Sequence, residues 1–160
     1  MAFEFLTLRV LHVLCGMFWV GSGLYSTIFM LPAIQKAGPA AGPIYAELQR
    51  RKLFTVLPLV AVITMLTGIR LLWIVSGGFE GAYFHTRAGH TFAAAGASSI
   101  LAFVIAMVVS RPAAVKLATL PPTASAEERA SLKRRSDIGT IVAMSLLTLA
   151  ALGMSIARYL

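Results

Sequence analysis

Charged residues are scarce in this sequence. Asp, Glu, Lys and Arg together make up 12% of its 160 residues, whereas 58% are hydrophobic and the mean hydropathy is +0.82. A soluble domain carries about a quarter of its residues charged to cover its surface, so a soluble globular class is excluded. Disorder is excluded as well, because disordered chains combine low hydrophobicity with high charge. A membrane protein is the class that remains.

Cysteine is almost absent, and so are the motifs of common soluble functions. The single cysteine, Cys15, cannot form an intramolecular disulfide, and no Cys/His cluster has the spacing of a zinc site. The sequence has no Gly-rich phosphate loop and no Ser/His/Asp arrangement. Its net charge of +8 does not indicate a nucleic-acid partner, because the basic residues stand at the ends of apolar runs, where they orient a chain against anionic lipid.

Long apolar runs are abundant. A bilayer core needs about 20 apolar residues in a helix, and four stretches qualify: residues 5–33, 53–75, 88–109 and 138–157. We therefore predict an all-α fold, a single membrane domain built as a four-helix transmembrane bundle. The charged run at residues 127–135 predicts either a short amphipathic helix at the lipid surface or a solvated segment.

The Lys and Arg residues of the connecting segments predict the orientation. Segments 34–52 and 110–137 hold ten of them, and segment 76–87 holds one. The positive-inside rule places the two basic segments in the cytoplasm, so both termini should lie on the outer side. In a bacterium this corresponds to the cytoplasmic (inner) membrane, with periplasmic termini.

Ionisable side chains inside the apolar runs are the candidate functional residues. Such side chains are costly in a membrane and usually face the bundle interior or a cavity. His12, Arg70 and His90 all fall in the outer half of the predicted bundle. On the first helix, Gly16 and Trp19 follow His12 at helical spacing on the same face. Small residues on such a face let another helix or a flat ligand approach the backbone.

Two imidazoles from facing helices, small residues beside them and a nearby arginine are the requirements of a membrane site for haem b. Neutral imidazole ligates iron, and a guanidinium group satisfies the propionates. His12 and His90 are the preferred axial pair, with Arg70 or Arg87 at the propionates. His85 is a less favoured metal ligand, because its offset of five residues puts it on a different side of a helix from His90.

Simpler interpretations of the same residues stay open. His12 can be a buried imidazole that bonds to a neighbouring helix, and Arg70 can extend to the outer lipid headgroups. Trp19 can serve packing alone.

Several short motifs resemble one family of membrane proteins. Leu11-His12, Trp19-Val20-Gly21 and Leu24-Tyr25 resemble the first helix of HemJ-type protoporphyrinogen oxidases and the related CopD-like proteins. The segment from Tyr45 to Leu53, the Thr67-Gly68 pair and the last helix with Asp137 at its start are similar to the same family. The resemblance implies a four- or five-helix bundle that binds haem b through His12. This chain differs from the oxidases at Ser26-Thr27-Ile28, where they have a basic residue, and near Arg87, where they have a lysine.

We therefore expect a haem b-binding redox protein in the lipid bilayer, acting in electron transfer or as a small oxidoreductase. It would form a homodimer or serve as a subunit of a larger membrane complex. The alternative is copper or proton transport along a path lined by His12, Arg70 and His90, or an accessory structural subunit.

Overall fold

The computed structural model describes residues 2–121 and 123–160 of the chain, and most of them are helical. These residues form no strand, and the helix content is 90%. The helices are α1 (Ala2–Tyr25), α2 (Leu31–Ala37), α3 (Gly42–Arg50), α4 (Leu53–Val75), α5 (Gly81–Phe84), α6 (Arg87–Ile105), α7 (Arg111–Thr119) and α8 (Ala126–Ile156).

The described part of the chain has four helical stretches that are long and apolar enough to cross a membrane: Ala2–Ala37, Leu53–Val75, Arg87–Thr119 and Ala126–Tyr159. The prediction of an all-α chain with four such helices is confirmed, and these helices indicate a multi-pass protein in a lipid bilayer. The second stretch has the predicted bounds. The charged run at residues 127–135 is the first part of α8, which differs from the separate surface helix or solvated segment expected from the sequence.

Two π-helical turns allow the first and third stretches to continue past a proline. The turns, Ser26–Met30 and Ala106–Ser110, come just before Pro32 and Pro112. A proline ring lacks an amide hydrogen and clashes with the carbonyl four residues earlier, which lies inside the π turn in both cases. The wider turn accommodates the ring, so α1 continues into α2 and α6 continues into α7.

The four spans alternate in direction around the bundle. α1 packs on α4 and α6 packs on α8, while contacts between α4 and α6 and between α1 and α8 close the ring. Consequently α1 and α6 lie diagonally opposite. Glu4 near the start of α1 pairs with Arg70 near the end of α4, and Gly153 near the end of α8 lies against Thr91 near the start of α6. Both termini therefore lie at one end, the terminal end, and residues 36–52, 111–121 and 123–137 lie at the other, the basic end.

Small residues hold the bundle together. Among the described residues, every buried hydrophobic side chain except Leu147 is an alanine, and the buried polar side chains belong to threonine and serine. Small residues let helix backbones approach closely, as in membrane proteins, where lipid solvates the large apolar side chains. The accessible surface is 10351 Å² for a chain of 17.1 kDa, whereas a soluble monomer of this mass exposes about 7,800 Å². The elongated bundle with its apolar exterior is suited to lipid.

Gly89 and Gly96 give a matched test of this packing, since both lie on α6. A Cβ atom at Gly89 would overlap the backbone carbonyl of Tyr83, whereas a Cβ atom at Gly96 would meet nothing within 4 Å. We expect Gly89→Ala to lower the free energy of unfolding by about 3 kcal/mol, because a backbone carbonyl cannot move aside. Gly96→Ala should leave it unchanged or raise it slightly. Thermal unfolding in detergent, followed by circular dichroism, measures both, and equal stability of the two variants would contradict the packing.

Candidate functional site

His12 lies in the seam between α1 and α4, with its ring against the backbone of Gly68. A Cβ atom at Gly68 would come within 2.8 Å of Cε1 and 3.2 Å of Nδ1 of the ring. One turn further along α1, a Cβ atom at Gly16 would lie 3.5 Å from the methyl group of Thr64. The two glycines allow α1 and α4 to approach closely enough for the imidazole to reach the backbone of α4.

A hydrogen bond to a helix carbonyl orients the His12 ring. Nδ1 lies 2.8 Å from the carbonyl oxygen of Thr64 and 3.3 Å from Oγ1 of Thr67. A carbonyl oxygen only accepts, so Nδ1 carries the hydrogen in this bond. The Thr67 hydroxyl donates its own hydrogen to the carbonyl of Ile63, at 2.7 Å, which leaves Oγ1 as a second acceptor for Nδ1. In the neutral ring the lone pair is then on Nε2.

This arrangement is the one by which proteins fix a metal-ligating imidazole. Donation of Nδ1–H to a backbone carbonyl sets the tautomer and the ring orientation, and Nε2 is the nitrogen that remains to bind a metal. The hydrogen bonds recorded for the His12 side chain within the described residues involve Nδ1 alone, and the ring is half-buried. His12 can therefore offer one nitrogen donor to a metal or to a metal-containing cofactor.

The α4 side of this site was not placed beside His12 by sequence reasoning. Thr64 and Thr67 are buried, and each hydroxyl also bonds to the carbonyl one turn earlier. In the sequence, the Thr67-Gly68 pair is noted only as part of the family resemblance. The available signal was two threonines and a glycine at spacings of three and four within an apolar helix, which marks one polar, small-residue face.

Arg70, predicted to bind a propionate or to extend to the lipid headgroups, is paired with Glu4. Its Nε and Nη2 atoms donate to Oε1 at 2.9 and 2.5 Å. Its guanidinium carbon also lies 4.3 Å from the ring centroid of Trp73. Both charged side chains are 43% exposed. The ion pair joins α1 to α4 on the terminal side of His12, and sequence reasoning did not identify Glu4 as its partner.

The other predicted ligands are on or beside α6 and have no recorded contact with His12 in the described part of the chain. His90 is exposed in the first turns of α6, the helix diagonal to α1, and His85 and Arg87 are exposed at the start of that helix. The Thr86 hydroxyl accepts from the Gly89 amide at 3.0 Å and so caps the helix between His85 and Arg87. Throughout residues 2–121 and 123–160, no recorded contact joins His12 to His90, and no three His, Cys, Asp or Glu side chains form a metal-binding group.

Gly16 and Trp19, predicted to contact the cofactor, are used in helix packing. Gly16 faces α4, as described above, and Trp19 meets Phe103 edge to face, with ring centroids 6.2 Å apart and an interplanar angle of 81°. Trp19 also packs on the cluster of Ala102, Ala143 and Leu147. The described site therefore consists of one oriented imidazole and one ion pair in the α1–α4 seam. No protein-family model, curated protein or solved structure matches this chain.

The tautomer of His12 tests this geometry. We expect ¹⁵N NMR of histidine-labelled protein, at a pH where the ring is neutral, to show His12 with its hydrogen on Nδ1, because only that form donates to Thr64. A His85→Gln/His90→Gln variant leaves one of the three histidines and so assigns the signal. Gly68→Ala should displace the ring and change this signal, whereas the control Gly96→Ala should not. A hydrogen on Nε2 in the unaltered protein would contradict the bond.

Proposed function

We propose that this protein is a haem b-binding redox protein of the bacterial inner membrane, with His12 as its iron ligand. The observation that supports this best is the orientation of His12 by the Thr64 carbonyl inside a membrane span, with Nε2 left to ligate. An ionisable residue within a span is a functional candidate because its burial in lipid is costly. The resemblance of the first helix to HemJ-type and CopD-like proteins supports the same cofactor.

The residues of the seam fit an iron–imidazole bond. Thr64 and Thr67 fix the orientation of the ring through Nδ1. Gly68 gives the ring the room it needs. When bound, haem supplies one-electron redox chemistry at iron, which the protein tunes through ligand identity and surroundings.

Arg70 is the residue that we assign to a propionate. It follows Thr67 by three residues and so lies one turn nearer the terminal end, where a propionate must meet water. A guanidinium group has five N–H donors, and two of its nitrogens are engaged with Glu4. Arg70 can therefore bind a propionate while Glu4 keeps its position.

The geometry favours one histidine ligand from this chain over the His12–His90 pair expected from the sequence. His90 is exposed on the diagonal helix, and no recorded contact within the described residues brings it to His12. With His12 as the one histidine from this chain, a bound haem would be accessible to a small molecule, which supports a small oxidoreductase over an electron carrier.

Copper or proton transport has less support from the same seam. A conducting path needs polar groups through the whole span, but from Thr64 back to Leu53 the residues of α4 are apolar apart from Thr55. The polar contacts of His12 and Arg70 all lie in the half of the seam nearer the terminal end.

Haem loading tests the proposal. We expect purified protein supplied with haem to show a Soret band, and His12→Gln to lower haem occupancy by more than tenfold, because the described seam offers no substitute ligand. Thr67→Val should weaken haem affinity by up to about tenfold, the scale of losing a ligand's outer hydrogen bond. His85→Gln and His90→Gln are the matched controls and should retain haem. Absence of a Soret band in the unaltered protein would discard the cytochrome class and favour transport.

The orientation of the bundle is a separate part of the proposal, since the positive-inside rule puts the basic end in the cytoplasm. In a Cys15→Ser background, Gly81→Cys should react with an impermeant thiol reagent in intact cells, because residue 81 lies at the terminal end and is exposed. Thr123→Cys, exposed at the basic end, should react only after permeabilisation. The reverse labelling pattern would overturn the orientation.

A further inference from the structure

A groove of about 780 Å³ lies at the basic end, between the π turn Ala106–Ser110 with its flanking residues and the first half of α8. One part of its lining is apolar and is formed by Ile105, Val109, Ile138 and Val142. The other part carries the side chains of Arg134 and Arg135, with Ser131 and Glu127 further toward the start of α8. The groove does not include any residue of the α1–α4 seam.

The two parts of the lining follow one another along the helix axis. On α8, Arg134 and Arg135 are followed one turn later by Ile138 and a further turn later by Val142. Val109 lies beside this part of α8, because a Cβ atom at Gly139 would come within 3.2 Å of its Cγ1. The groove thus has a charged mouth at the end of the span and an apolar slot that extends into it.

The two arginines at the mouth differ from the basic side chains around them. The neighbouring basic side chains have partners, since Lys133 pairs with Asp137, and Lys116 pairs with Glu128 at 3.2 Å. No ion pair of Arg134 or Arg135 is recorded within residues 2–121 and 123–160.

The acidic residues of the lining and of the surrounding surface leave the mouth of the groove positively charged. Glu127 is the one carboxylate that lines the groove, and it lies two turns before Arg134, on the side away from the apolar slot. Segments 34–52 and 110–137 together contain ten Lys and Arg residues and four acidic ones, which are Glu47, Glu127, Glu128 and Asp137. Glu47 is held by Arg50 and Arg51, which keep the pKa of its carboxyl group below the usual range. A ligand of this mouth is therefore an anion.

We propose that this groove binds one anionic phospholipid, with its phosphate on Arg134 and Arg135 and an acyl chain along the apolar slot. Guanidinium groups bind phosphate oxygens in a bidentate manner, and basic pockets beside membrane helices suit anionic headgroups. The apolar slot distinguishes a phospholipid from a free phosphate ion, because the ion has nothing to place there. The proposal depends on the groove alone and is independent of haem.

Native mass spectrometry of the delipidated protein, titrated with phosphatidylglycerol or phosphatidylcholine in mild detergent, tests the proposal. We expect one tightly bound phosphatidylglycerol and much weaker retention of phosphatidylcholine. Arg134→Gln/Arg135→Gln should weaken phosphatidylglycerol binding by about 30-fold, from the loss of two surface cations. Arg134→Lys/Arg135→Lys should retain part of the affinity that the Gln variant loses, because lysine keeps the charge but lacks the bidentate donor geometry of a guanidinium group.

Two further variants separate the groove from general surface charge. Lys36→Gln/Lys52→Gln removes the same charge from the basic end outside the groove and should leave the affinity nearly unchanged. Val142→Trp fills the apolar slot without a change of charge and should also weaken phosphatidylglycerol binding. Circular dichroism confirms that each variant is folded.

Three results would overturn the proposal. Equal loss of affinity in the Lys36/Lys52 control would indicate unspecific surface charge. Full competition by inorganic phosphate at concentrations matched to the lipid, with Val142→Trp unaffected, would indicate a simple anion site. Equal retention of phosphatidylcholine and phosphatidylglycerol would show that the arginines do not select an anionic headgroup.

Discussion

The ring of His12 can lie against α4 only because residue 68 has no side chain. A methyl group there would occupy the space of the imidazole, with Cε1 only 2.8 Å away. This close approach brings Nδ1 to the Thr64 carbonyl, and that bond in turn determines which ring nitrogen can bind a metal. The chemistry that we propose thus depends on a packing constraint between two helices, and the same use of small residues holds the rest of the bundle together.

The two ends of the bundle differ in their polar groups. In the half nearer the terminal end, the α1–α4 seam contains an oriented imidazole and the Glu4–Arg70 pair. At the basic end, α8 carries two arginines above an apolar slot. Between them lies a core of alanines with the Trp19–Phe103 contact. The proposed cofactor and the proposed lipid therefore occupy separate places, so a substitution in one can be interpreted without the other.

Hydropathy predicted the four spans well, because the need for about 20 apolar residues leaves few alternatives. It could not predict where the third helix ends, since Pro112 usually indicates a break and here follows a π turn that accommodates it. His12 is identifiable from the cost of its burial, from the small residues on its helix face and from the family resemblance. Its partners are not, because Thr64 is 52 residues away in the sequence and only the pairing of α1 with α4 brings it near. The expected His12–His90 pair stays a prediction, since α1 and α6 meet across the core at Trp19 and Phe103 but no recorded contact within the described residues joins the two histidines.

The most direct test of the central claim, that His12 alone supplies the iron ligand from this chain, is pulsed EPR of the ferric, haem-loaded protein with ¹⁵N-labelled histidine. We predict the strong hyperfine coupling of one iron-bound histidine nitrogen, unchanged in His90→Gln. Coupling to two histidine nitrogens, with one lost in His90→Gln, would contradict the single-ligand geometry. Coupling to a histidine that survives His12→Gln would contradict the assignment of the ligand itself.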